Sequence, residues 1–238
     1  MRKIILAFAV LTLLFLPLTA YAIPDLQVYI EGASYGDQGA DQDTWFSSGN
    51  PFILWAVGQT KQNEKAEIVP ITGVTLVITY PSTEFGSITL TPTTASLSYN
   101  TWIGSDPAVP SIFDVVGSGD WPNNAILPPH YPCQDGFSYT LLSISDFTEA
   151  NSYVGNWAGA GVPPPFSNPS FFNGEIHAFE ISFTGFSYLH FDVTGYQGEK
   201  YINNPFSHDA SVVVPLPGSL ILLGSGILSL VGLRKKLL

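Results

Sequence analysis

Hydrophobic and polar positions along this chain follow the short-range alternation of β-strands rather than the period of helices. The clearest alternation covers residues 175–183, but its phase slips near Glu180. Such a slip predicts either a β-bulge or a strand that is buried on both faces. Strands are predicted at 26–30, 52–57, 74–80, 87–90, 137–144, 175–183, 188–193 and 211–214.

The segments between these strands are rich in turn-forming residues and nearly lack helical periodicity. One helical turn is predicted at 145–150, where Asp146 is placed to cap it and Glu149 follows three residues later. The proline-rich stretches 106–134 and 163–169 are predicted as long connections within one domain. The pattern therefore predicts an all-β fold, an antiparallel two-sheet sandwich of the jelly-roll or immunoglobulin-like kind.

Charge is distributed unevenly along the chain. All nineteen acidic residues lie between Asp25 and Asp209, a region with three basic residues. Such a negative surface repels phosphate backbones, so we expect no nucleic-acid partner. It is compatible with divalent cations or neutral polymers. The single cysteine, Cys133, excludes an intrachain disulfide and any metal cluster built from several cysteines.

The start of the chain has the three parts of a secretory signal. A basic beginning, Arg2 and Lys3, precedes an apolar run over 4–18 and the small residues Ala20 and Ala22. This pattern predicts a signal peptide over 1–22, read by the export machinery and cleaved by signal peptidase after Ala22. The alternative is an uncleaved membrane anchor.

The end of the chain has the pattern of a membrane-spanning helix. Residues 216–233 carry no charge and are followed by a basic tail. At about 1.5 Å per residue a helix there spans roughly 27 Å, close to the hydrocarbon thickness of a bilayer. The basic residues should remain cytoplasmic and place the β domain outside. The alternative is a buried core helix. The tail residues are Arg234, Lys235 and Lys236.

The order of elements over 213–238 resembles the PEP-CTERM sorting signal of bacterial exosortase substrates. In that family a Pro-Glu-Pro-like motif precedes a transmembrane helix and a basic tail, and here Leu216 stands where the family usually has glutamate. The resemblance implies an exosortase partner, passage through the inner membrane, and a final location at the cell surface or outside the cell. The motif residues are Val214, Pro215, Leu216, Pro217 and Gly218.

The domain between the two ends resembles the choice-of-anchor N surface proteins. That resemblance implies a surface domain and supplies no catalytic residue. It is carried by Ile23-Pro24-Asp25-Leu26-Gln27, Asn50-Pro51-Phe52, Leu127-Pro128-Pro129-His130, Leu189-His190-Phe191-Asp192 and Pro205-Phe206-Ser207-His208-Asp209-Ala210.

Two motifs with known chemistry lie near the start of the domain. Gly32-Ala33-Ser34-Tyr35-Gly36 matches the G-x-S-x-G nucleophile elbow, but no helix can be predicted after it, so we expect an ordinary loop. Asp37, Asp41 and Asp43 form an acidic cluster that suits Ca²⁺, the one cofactor that the sequence suggests, although the spacing fails the EF-hand rule. A solvated acidic loop is the alternative.

Histidines and tryptophans are the remaining candidates. No histidine pairs with another at a spacing of two or four, so we expect hydrogen-bonded histidines rather than a metal site. His208-Asp209 is the best acid–base dyad, but no nucleophile accompanies it. Three tryptophans in turn-rich segments are candidates for carbohydrate binding on exposed rings. These are Trp102, Trp121 and Trp157; the four histidines are His130, His177, His190 and His208.

These observations favour a non-enzymatic, exported surface or extracellular-matrix protein without a resident cofactor. The first alternative is a polysaccharide-binding module with an exopolysaccharide partner. The weaker alternative is a secreted hydrolase that uses Ser34 or His208.

Overall fold

The computed structural model describes residues 23–38, 41–93, 112–121, 126–156, 172–205 and 207–214. Within these ranges the protein is all-β and contains no helix, so the helical turn predicted at 145–150 is wrong. The strands are β1 (Leu26–Ile30), β2 (Ser34–Gln38), β3 (Asp41–Ser47), β4 (Phe52–Gln59), β5 (Ile71–Pro81), β6 (Ser87–Thr93), β7 (Ile112–Asp120), β8 (Phe137–Ile144), β9 (Gly174–Thr184), β10 (Tyr188–Gln197), β11 (Lys200–Asn203) and β12 (Ala210–Val213).

The strands of the described ranges form two sheets. The smaller sheet has the order β1-β4-β9-β6, and the larger has the order β2-β3-β12-β10-β5-β8-β7, with β11 paired to β10. The prediction of purely antiparallel sheets is wrong at one place, because β12 pairs with β3 in parallel. The last strand lies between β3 and β10 and is antiparallel to β10. The larger sheet is therefore mixed.

The two sheets share one hydrophobic core. Phe52 of the smaller sheet contacts Phe191 of the larger sheet, with ring centroids 5.8 Å apart. Tyr29 meets Trp45 edge-on across the same interface at 4.9 Å. Burying one large apolar side chain contributes about 1.5–3 kcal/mol, so this interface is the main stabilising contact of the domain.

The opposite face of the larger sheet is also covered. Residues 126–136, which we name the covering segment, place Leu127 and Cys133 against Val77 and Leu141 in a second apolar cluster. Because Val77 belongs to this cluster while Leu76 and Ile78 belong to the main core, β5 is buried on both faces. The candidate site described below lies under the covering segment.

Strand β9 explains the phase slip seen in the sequence. Its first six residues are all buried, whereas the second half alternates. Its register with β4 runs without a shift, so burial on both faces is the correct alternative and a bulge is not present. Phe147 covers the outer side, with its ring 4.4 Å from that of His177.

The pattern of hydrophobic and polar positions does not predict four of the observed strands: β2, β3, β7 and β11. β7 lies inside the stretch that was expected to be one connection, and β2 contains the expected loop residues 34–36. β7 is rich in glycine, lies at the edge of the larger sheet and changes register twice against β8. A glycine-rich edge strand has no regular apolar face, so alternation cannot reveal it.

Both terminal predictions fall almost wholly outside the described residues. The predicted signal peptide, 1–22, and the predicted helix, 216–233, are not described. No helix in the described ranges is long and apolar enough to cross a membrane. β12 continues to Val213, and the Val214 amide donates to the Ser187 carbonyl at 2.9 Å. β12 therefore includes Val213, which is the first residue of the predicted sorting segment 213–238.

Candidate metal centre

Two histidines and two aspartates meet on the covered face of the larger sheet. His190 and Asp192 are two residues apart on β10 and therefore point to the same face. His130 approaches from the covering segment, and Asp209 directly precedes β12. One ligand atom from each of the four residues lies within 4.8 Å of every other, so the fold brings three distant parts of the chain to one point.

Strand register explains why the two aspartates are neighbours. β10 and β12 pair antiparallel as far as Phe191 and Ala210, and Asp192 and Asp209 are the next residues along the two segments, with carboxylate oxygens within 4.8 Å of each other. Both side chains are 1% exposed. Like charges directly across a strand pair destabilise it, and burial increases the cost. The arrangement therefore requires a compensating positive charge.

The four ligand atoms are closely spaced. The Nε2 atoms of His130 and His190 are 3.4 Å apart. His130 Nε2 lies 3.4 Å from Asp192 Oδ1, and His190 Nε2 lies 3.1 Å from Asp192 Oδ2. His190 Nε2 also lies 3.7 Å from Asp209 Oδ2. Both rings thus direct Nε2 into the cluster.

Outer contacts fix the orientation of both rings. His130 Nδ1 donates to the Pro128 carbonyl at 2.9 Å, because a carbonyl oxygen only accepts. His190 Nδ1 lies 2.8 Å from Ser211 Oγ. Asn204 Nδ2 donates to Asp192 Oδ1 at 3.1 Å. In metal sites, hydrogen bonds of this kind, made by neighbouring groups to the ligand side chains, hold histidines and carboxylates in the orientation needed for binding.

Charge inside the cluster shifts two pKa values. Burial alone would lower the pKa of His130, but the hydrogen bond and charge of Asp192 raise it above its ordinary value. Burial would raise the pKa of Asp192, but the neighbouring His190 and His130 hold it far below its ordinary range. The carboxylate therefore remains ionised and attracts any cation that reaches the cluster.

Cys133 lies beside the cluster. Its Sγ is 3.5 Å from His130 Nε2 and 3.9 Å from Asp192 Oδ2. The side chain is buried.

Trp121 is not exposed, which corrects its choice as a carbohydrate-binding residue. It is 4% exposed, packs against Tyr139 with the ring centroids 4.8 Å apart and the rings tilted by 50°, and donates from Nε1 to Thr79 Oγ1 at 3.2 Å. A ring buried in this way offers no face to a sugar. Trp102 and Trp157 lie outside the described residues.

The remaining predicted site residues are dispersed. Ser34 lies within β2, which β3 follows, so the turn of a nucleophile elbow is not formed there. His208 bonds to Ser207 Oγ and Asn156 Oδ1, both at 2.9 Å, and burial lowers its pKa to about 4.

The acidic cluster expected in one loop belongs to a β-hairpin instead. Asp37 is in β2, and Asp41 and Asp43 are in β3. Their side chains lie outside the described part of the structure, so calcium binding there stays a prediction.

One sequence signal indicates half of the centre. His190-Phe191-Asp192 places a histidine and a carboxylate on one face of a strand, a pattern that histidine–histidine spacing does not reveal. His130 and Asp209 could not be assigned to the centre from sequence, because only the covering segment and the β10–β12 pairing bring them there. Comparison of the chain with protein-family models, curated proteins and solved structures found no match.

Proposed function

We propose that this chain is an exported bacterial surface or extracellular-matrix protein, sorted by a C-terminal exosortase-type signal, whose β domain is not catalytic. The observation that carries the proposal is the order of segments in the sequence: a signal-like start, one acidic β domain, and a PEP-CTERM-like end. We also assign the two-sheet fold to the β-sandwiches of the jelly-roll or immunoglobulin-like kind.

Burial of the His/Asp cluster supports a non-catalytic domain. Its side chains are between 0% and 7% exposed. A catalytic site needs a concave surface that a substrate can enter.

The test follows the sorting segment in the native host. The mass and cell fraction of the mature protein are compared with and without the host's exosortase. We expect cleavage at or near residues 214–218 to depend on the exosortase. Leu216→Glu restores the usual family motif and should preserve or improve processing. Neutral substitutions of Arg234, Lys235 and Lys236 should impair retention and orientation.

The matched control is a neutral substitution of Lys200, a basic residue of the β domain that pairs with Asp25 at 3.6 Å. It should leave mass and cell fraction unchanged. If every variant has the same mass and membrane fraction in both hosts, the segment is a plain transmembrane anchor and the sorting proposal is wrong.

A polysaccharide-binding module is the second candidate, and an exposed aromatic pair favours it. Tyr196 and Tyr201 are 47% and 39% exposed, with ring centroids 5.3 Å apart. Both line a cavity of about 250 Å³. Exposed aromatic faces bind sugar rings through their apolar surface. A glycan pull-down that captures the native protein but not the Tyr196→Ala variant would support this candidate. Failure to capture the native protein would reject it.

A further inference from the structure

We propose that His130, His190, Asp192 and Asp209 bind one divalent transition-metal ion of the zinc class. The ion would sit between the two Nε2 atoms and the two carboxylates. This site goes beyond the proposed surface function and does not depend on how the chain is sorted.

Ligand spacing is the first argument. With metal–ligand bonds of about 2.0–2.1 Å, the ligand atoms of a tetrahedral zinc site lie roughly 3.3 Å apart. The distances from His190 Nε2 to the other three residues are 3.4, 3.1 and 3.7 Å. These three distances are close to those of a tetrahedral site, and because all four ligand atoms lie within 4.8 Å of one another, the wider pairs would contract when the ion binds.

Hydrogen-bond chemistry is the second argument. Because His130 Nδ1 carries the hydrogen donated to Pro128, a neutral His130 presents a lone pair at Nε2. That lone pair faces Asp192 Oδ1 at 3.4 Å and His190 Nε2 at 3.4 Å. Either a hydrogen on His190 Nε2 or a metal ion between the groups can satisfy these acceptors, and with a metal ion both Nε2 atoms become ligands.

Ligand identity and charge select the kind of ion. Imidazole nitrogens suit zinc and related transition metals, whereas calcium and magnesium prefer oxygen ligands throughout. A dication also neutralises the charges of Asp192 and Asp209, whose carboxylate oxygens lie within 4.8 Å of each other beside the β10–β12 pairing. Since all four ligand positions come from buried protein groups, the site is of the closed, structural type.

The position of the ligands defines what the ion does. His130 belongs to the covering segment, His190 and Asp192 to β10, and Asp209 to the start of β12. A shared ion fastens the covering segment and the last strand to the centre of the larger sheet. Metal binding therefore becomes part of the folding free energy of the domain.

Titration of the full chain tests the site. The protein, purified in detergent and stripped with a chelator, is titrated with Zn²⁺, Co²⁺ and Ca²⁺. We expect one tightly bound Zn²⁺ per chain and a visible Co²⁺ spectrum typical of four-coordination. With free Zn²⁺ at a hundred times its dissociation constant, the folded-to-unfolded ratio should rise about a hundredfold.

Three variants separate metal binding from ordinary structural damage. Asp209→Asn should abolish the zinc-dependent stabilisation but keep or raise the stability of the metal-free protein, because it removes the repulsion with Asp192. His130→Gln should also abolish the zinc effect. Ser211→Ala, which removes the contact to His190 Nδ1, should weaken zinc binding about 10- to 100-fold and keep the 1:1 stoichiometry.

The matched control is His177→Gln. This variant breaks a second buried histidine–carboxylate pair, His177 Nε2 to Glu175 Oε1 at 2.9 Å, which is not part of the cluster. His177→Gln should lower the free energy of unfolding by the same amount with and without zinc, so the stabilisation by zinc stays as large as in the native protein. The proposal is overturned if zinc does not bind stoichiometrically, if Asp209→Asn and His130→Gln retain the zinc effect, or if calcium stabilises as strongly as zinc.

Discussion

Glu175 shows how a single buried carboxylate is held without a metal ion. It accepts hydrogen bonds from the Thr148 and Glu149 amides at 2.7 and 2.9 Å, and it lies 2.9 Å from His177 Nε2. Burial would raise its pKa, but these contacts lower it from its ordinary value of 4.5. Asp192 has histidines and an amide as partners but faces a second carboxylate, which is why its surroundings favour a cation.

The lowered pKa of Glu175 predicts acid sensitivity. The carboxylate contributes stability that is fully present above the unfolded pKa of about 4.5 and is lost as pH falls through the folded pKa. Glu175→Gln should be less stable than the native protein at neutral pH and should lose less stability below pH 4.5. Urea unfolding across pH 3–7 measures both effects. Glu180→Gln, at an exposed position of the same strand, is the control; an equally large change there would contradict the prediction.

Trp121 allows the structural role of a tryptophan to be separated from sugar binding. Its indole fills the second apolar cluster, so Trp121→Ala should lower the free energy of unfolding by about 3–5 kcal/mol. Trp121→Phe should lower it less, because it keeps most of the ring packing and loses the bond to Thr79. Chemical denaturation gives both values. Equal stability of Trp121→Ala and the native protein would mean that the ring is not core material.

At the scale of elements, the close approach of β4 and β9 depends on glycine. A Cβ atom at Gly174 would lie 2.2 Å from the Gly58 carbonyl oxygen and 2.5 Å from Val154 Cγ2. Gly174 pairs with β4 on one side and with Ser152 on the other. A side chain at this position would therefore push away the backbone of the neighbouring β4.

This packing predicts a large effect from one methyl group. Gly174→Ala should destabilise the domain by about 1–3 kcal/mol or more, because backbone atoms must move to admit the Cβ. The matched control is Gly36→Ala in β2, where a Cβ would meet no atom within 4 Å. Thermal unfolding of both variants is the measurement. A similar midpoint for the two variants would show that β4 and β9 are not so closely packed.

At the scale of the whole molecule, the two sheets and the covering segment form one unit, and β12 is the last strand of its described part. The bond from the Val214 amide to Ser187 shows that the folded domain includes Val214. The fold therefore extends at least two residues beyond 212, the end of the domain predicted from the sequence.

The folded unit should survive removal of both apolar ends. We expect residues 23–214 to be soluble, with a far-UV spectrum dominated by β-structure, and residues 23–212 to be less stable because β12 loses its last contacts. Circular dichroism and thermal unfolding test the two chains side by side. Substantial helix in the longer chain would contradict the fold.

Export of the whole molecule depends on cleavage of the predicted signal peptide, 1–22. The Ala20 and Ala22 positions predict that the mature protein begins at Ile23. N-terminal sequencing of protein from the native host tests this. A protein that still begins at Met1 would mean that the first segment is an anchor.

The sequence by itself determined the fold class and most strands of the domain. Alternation and β-branched residues predicted β1 and β8 with their observed ends, and located β4, β5, β6, β9, β10 and β12 within a few residues. These strands make up the whole of the smaller sheet and the middle of the larger one, where burial imposes a regular pattern. The strands at the two ends of the larger sheet, β2 and β3 at one end and β7 at the other, carry no such pattern and were not predicted.

Only the tertiary structure decided which polar residues meet. His190 and Asp192 share a strand face, but His130 is 60 residues away and reaches them through the covering segment. The pairing of β10 with β12 then sets Asp209 beside Asp192. Contacts between distant segments depend on sheet order and register, which local patterns do not encode. For the same reason Trp121, in a turn-rich stretch, proved to be buried.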